Sequence, residues 1–124
     1  MNPADTLRLN NDIKPVPLHA LSSDHLLALN NLHTLELSRL DRARLEELVA
    51  ISYYAFGVAP AVAFLIAVDC RAPYDNHNFR WFSARLSNFV HVDRLVADSA
   101  ARRYGIAQAL YQGLFERAKA CSAR

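Results

Sequence analysis

The chain has 124 residues, 52% hydrophobic and 21% charged, a balance that fits one globular domain with a sizeable core and excludes intrinsic disorder. Its fourteen Lys and Arg are interleaved with twelve Asp and Glu, for a net charge of +2, and form no basic block of the kind that binds nucleic acid. Cys70 and Cys121 lack CxxC spacing, the pattern of reduced thiols in a cytoplasmic protein.

Residues 1–12 are polar and read as a flexible terminus ahead of a single domain over residues 13–124. No apolar run follows a basic start, which predicts no signal peptide. Ile13 to Leu18 is short and extended, and Pro15 and Pro17 confine it to a sheet edge or a strand start, because neither can donate to a ladder. Ser22 or Ser23 then caps a short helix carrying Leu26, Leu27 and Leu29, and Asn30-Asn31 breaks it. After Leu35 to Ser38, Asp41 is a good N-cap for a helix whose face is Leu45, Leu48 and Val49, with Leu40 placed to staple onto Leu45.

From Val49 to Val68 there are twenty residues without a charge, about the length of a membrane span. Tyr53, Tyr54, Gly57 and Pro60 interrupt the run. It reads instead as the end of a helix, a turn over Gly57 to Pro60, and a strand over Ala61 to Asp69 buried on both faces, while Ile51 to Val58, rich in aromatic and β-branched residues, could equally begin a strand. Pro73 helps to turn the chain. Asn76 to Asn88 reads as an irregular, polar-aromatic loop where a substrate pocket could be built, or where Phe79, Trp81 and Phe82 cap the core.

Phe89 to Ala97 has the composition of a partly buried strand, with His91, Asp93 and Arg94 interspersed. A helix begins by about Gly105, with Ala107, Leu110, Tyr111, Leu114 and Ala118 on one face and Gln108, Gln112, Glu116 and Lys119 in water. Arg102 and Arg103 stand where the helix dipole is already positive, and an anion there would turn a repulsion into an attraction. The alternative is a helix capped by Asp98 or Ser99, starting near Ala100, with both arginines in solvent. None of the five histidines forms an HxxxH or HxH pair, so no metal is expected. No GxSxG and no GxGxxG occurs.

Arg102-Arg103-Tyr104-Gly105-Ile106-Ala107 fits an Arg/Gln-x-x-Gly-x-Gly/Ala signature set between a strand and a helix. In this the chain resembles the GNAT superfamily of acetyl-CoA-dependent N-acetyltransferases. Tyr74 to Phe82 is similar to a bacterial subgroup of that family whose substrate is unassigned, which extends the resemblance over most of residues 13 to 120. The chain departs at Arg103, where many members have glycine, and at Ser99, where proline is common.

The resemblance implies an α/β fold: a mixed, largely antiparallel sheet flanked by helices. It implies acetyl-CoA as cosubstrate and an amine acceptor on a small molecule or a protein. Backbone groups of Arg102, Arg103, Tyr104, Gly105, Ile106 and Ala107 would hold the pyrophosphate, and those of Leu95, Val96 and Ala97 the pantetheine arm. Asp93 is the candidate base and His91 the alternate, although Asp93 could instead only pair with Arg94. Glu36, Tyr74, Asn78 and Trp81 are candidate acceptor contacts.

In the family the group that stabilises the thiolate comes from a segment after this helix, which the chain as given does not contain. The expectation is therefore a C-terminally incomplete domain. A catalytically impaired CoA-binding or interaction module is the alternative function. Such a form would leave the edge of the Phe89 to Ala97 strand exposed, with a homodimer as one way to cover it.

Overall fold

Pro15 and Pro17 mark one border of a sheet that grows from there in chain order. The computed structural model describes residues 14–32, 39–73, 77–86, 89–99 and 105–122. Strand β1, Val16–Pro17, runs into a single 3₁₀ turn, Leu18–Ala20, and then helices α1, Ser23–Asn31, and α2, Arg42–Ile51. Strands β2, Tyr54–Val58, and β3, Ala63–Asp69, form a hairpin. Helix α3, His77–Arg85, strand β4, Val90–Ala97, and helix α4, Ile106–Ser122, complete the described elements. The sheet order is β1-β2-β3-β4, and every pairing is antiparallel.

Local chemistry explains the helix starts. The Ser22 hydroxyl accepts the backbone N–H of His25, and the Asp41 carboxylate accepts that of Arg44 at 2.8 Å, each satisfying a first-turn donor that the helix itself cannot. Leu40 and Leu45 are both buried in one core cluster, as a staple around the Asp41 cap requires.

The sheet separates two apolar layers. On one face Phe64, Ile66, Val68 and Val96 pack with Leu26 and Leu29 of α1, Leu45 and Leu48 of α2, and Phe79 of α3. On the other, Tyr54, Val58, Leu65 and Ala67 meet Ile106, Leu110 and Leu114 of α4. Strand β3 lies between two strands and two helical layers, so its residues from Ala63 to Val68 are all buried, as expected of a continuous apolar run.

Two expectations need correction. Of the two readings of Ile51 to Val58 the strand is present, as β2, but the turn falls at residues 59–62 and not over Gly57 to Pro60, after Gly57 and Val58 have paired with Phe64 and Ala63. A tight hairpin between β-rich segments leaves no charged residue to mark the boundary. Residues 77–85 form α3 and not a loop. Phe79 is buried and anchors this helix on the core, while Trp81 is 48% exposed and does not cap the core. Among the described residues, no helix is long and apolar enough to cross a membrane. The expected flexible terminus and the Leu35 to Ser38 segment lie outside the described residues.

Helix α4 approaches the sheet closely at Gly113. A Cβ there would lie well inside van der Waals contact with Tyr54 Oη, and the Tyr54 ring is itself buried and stacked on Phe56, with centroids 4.5 Å apart. Glycine inside a helix gives up about 1 kcal/mol of propensity relative to alanine. Here it makes the packing of α4 feasible.

Gly113→Ala should therefore destabilise the fold by about 1–3 kcal/mol despite its better helix propensity. Combining it with Tyr54→Phe should recover part of that loss in chemical denaturation. Tyr54 also carries a pH signature. Burial raises its phenol above the ordinary value of 10; Arg117 opposes the shift and Glu116 adds to it. The folded state thus keeps a proton that the unfolded chain releases. This stabilisation is fully present below the unfolded pKa of about 10 and is lost as pH rises through the raised folded value. Denaturation midpoints above pH ~10 should fall more steeply in the parent protein than in Tyr54→Phe.

Candidate functional site

Antiparallel pairing of β4 with β3 is interrupted once. Ile66 pairs with Arg94 and Ala67 with Val92, so Asp93 is an extra residue on β4, a β-bulge. A bulge re-aims side chains that strict alternation would send to opposite faces. Here it allows the adjacent Asp93 and Arg94 to meet: Arg94 Nε donates to Asp93 Oδ2 at 2.6 Å, with the two side chains 5% and 6% exposed. The ion pair with Arg94 that the sequence allowed for Asp93 is present.

The Arg94 guanidinium also donates through Nη1 to Asn30 Oδ1 at the end of α1, at 2.9 Å. Asn30 Nδ2 donates to Asn31 Oδ1. Asn31 in turn clamps Leu40, accepting its N–H and donating to its carbonyl, both at 3.0 Å. A buried charge pair thus joins β4 to the connection between α1 and α2.

Beyond the bulge, Leu95 and Ala97 face α4 and Val96 faces the α1–α2 layer, where it is buried. Leu95 and Ala97 line a concavity of ≈ 280 Å³ together with Ile106 and Ala107 of the first turn of α4. Gly105, with φ +69°, stands just ahead of that turn, and its carbonyl accepts the Ala109 N–H at 3.0 Å. A left-handed residue cannot lie inside a right-handed helix. A helix running unbroken from Ala100 through position 105 is therefore excluded, and α4 starts at Ile106. Its first turn carries no acidic side chain of its own to complement the helix dipole.

Of the residues expected to bind a cofactor, Leu95, Ala97, Ile106 and Ala107 are brought together, with Gly105 beside them. Arg102, Arg103 and Tyr104 lie outside the described residues, as do Glu36, Tyr74 and the side chain of Asn78. Trp81 does not line the concavity. Its ring carries the Arg85 guanidinium, 4.1 Å from the centroid, and Arg85 also donates to the Trp81 carbonyl. His91 lies edge-on to Phe79 at 6.0 Å. Among the described residues, no cluster of His, Cys, Asp or Glu could hold a metal ion.

Sequence reasoning missed Asn30. A buried amide serving a guanidinium 64 residues away has no local signal beyond its polarity at the end of an apolar face. It also missed a second concavity, of ≈ 360 Å³, where His25, Leu29 and Leu32 of the α1 region meet Pro60 to Val62 and Asp98.

No protein-family profile, no curated protein and no solved structure matches the chain.

Proposed function

We propose that the protein binds acetyl-CoA and transfers its acetyl group to a primary amine of a small molecule or protein, as a cytoplasmic N-acetyltransferase of the GNAT kind. The observation that carries the reading is the concavity between the end of β4 and the first turn of α4, with Gly105 at its head. The first-turn N–H groups of a helix, which have no partner within the helix, suit a pyrophosphate. Small residues at 97, 105 and 107 let a ligand approach the backbone closely. The β4 backbone from Leu95 to Ala97 is extended, and the pantetheine amides could pair with it as a neighbouring strand would.

In the reaction the amine nitrogen attacks the thioester carbonyl carbon, the C–S bond breaks, and coenzyme A leaves as a thiolate that takes its proton from water. The nitrogen gives up a proton on the way. Asp93 is the group we assign to receive it, directly or through a water, with His91 as the alternate. The Arg94 contact favours a second reading, in which Asp93 is purely structural and the chain binds CoA without transferring acetyl.

Acetyl-CoA at 100 times its Kd should stabilise the fold by ~2.7 kcal/mol. The shift should vanish in Gly105→Asp, which puts a side chain at a positive φ and a negative charge beside the helix start. An equal shift in that variant would overturn the assignment of the concavity. Thiol release on mixing acetyl-CoA with a panel of primary amines separates the two readings: a transferase releases thiol in proportion to acetylated amine, whereas a binding module shows only the thermal shift.

A further inference from the structure

The buried chain of contacts behind Asp93 has a direction. A guanidinium is a rigid planar fork, so fixing one of its nitrogens fixes where the others point. Arg94 is held at Nη1 by Asn30 and presents Nε to Asp93. The Asn30 amide is oriented in turn, because Nδ2 donates to Asn31 Oδ1, leaving Oδ1 to face Arg94. Asn31 is locked to both backbone groups of Leu40. Orientation therefore passes from the main chain ahead of α2, through the end of α1, to a carboxylate at the bulge of β4.

Asn30 is 0% exposed, and its contact with Nη1 of Arg94 gives it a route to Asp93 through the guanidinium. We propose that Asn30 is a positioning residue: it sets the plane of the Arg94 guanidinium and thereby the placement of the Asp93 carboxylate. The consequence for acetyl transfer rests on the reading of Asp93 as the base. The placement itself does not depend on that reading.

The test uses the full chain and the ¹H–¹⁵N resonance of Arg94 Nε–H, which a short, buried, charge-assisted bond should hold apart from free arginine and shield from solvent exchange. Asn30→Leu removes the acceptor while keeping the volume, and Asn30→Ala is the second variant where the first does not fold. Either should speed exchange of the Arg94 Nε–H about tenfold or more. Asn30→Asp restores an acceptor oxygen and should return the protection.

Acetyl transfer should follow the same order. In the acceptor-less variant kcat should fall about tenfold while KM for acetyl-CoA stays within about twofold, and Asn30→Asp should recover part of it. An Arg94 Nε–H unaffected by loss of the Asn30 acceptor overturns the proposal. Altered Nε–H exchange with unchanged kcat upholds the positioning and overturns Asp93 as the base. A parent protein with no transfer to any amine overturns the transferase reading, and the Nε–H comparison still decides whether Asn30 positions the pair.

Discussion

A guanidinium held inside an apolar layer is the constraint on which much of this fold depends. Removing such an ion from water costs several kcal/mol, and losing one partner of a buried pair typically costs about 3–5 kcal/mol. Arg94 therefore needs acceptors where the core would otherwise supply only methyl groups. The bulge brings Asp93 alongside, and α1 ends where Asn30 can reach the other side of the fork. The end of α1, the backbone of Leu40 and the bulge of β4 are thereby tied to one buried charge.

A comparable constraint governs the opposite layer. Helix α4 crosses the sheet closely enough that position 113 has no room for a methyl group, and Arg117 lies over the Tyr54 and Phe56 rings while donating to the Tyr53 carbonyl. Those contacts fix the tilt of α4 at its far half. Its first turn is thereby held beside the end of β4, where the concavity opens. The geometry of the candidate site is set partly by residues well removed from it.

The elements that announce themselves in the sequence are those with local causes. The Asp41 cap, the prolines that confine β1 to a border, the wet face of α4 and the doubly buried β3 could each be read from a few neighbouring residues. Helix α3 reads as a loop because HNFRWFSAR is short and mostly polar, although Phe79 and Phe82 stand at helical spacing; the burial of Phe79 against other elements anchors it. In the long uncharged run Ile51 to Val58 stays open between a helix end and a strand for the converse reason, since apolar residues suit both. At the site, Gly105 was legible because a glycine directly ahead of an amphipathic face marks where the backbone can turn into the helix. Arg94 was legible as a neighbour of Asp93, but its second partner was not, because the contact with Asn30 is made only by the tertiary fold.

Pro17 gives the sheet a polarity that the strand order alone does not convey. On the β1 side the border strand is two residues long and includes an imino acid without an N–H, so a further strand or an amide-bearing ligand would find a poor template there. At the other border stands β4, eight residues long and bounded by β3 alone among the described strands. The two borders of the described sheet thus differ in kind: one is short and lacks a donor at Pro17, and the other offers an extended backbone that runs from the Asp93 bulge to Ala97.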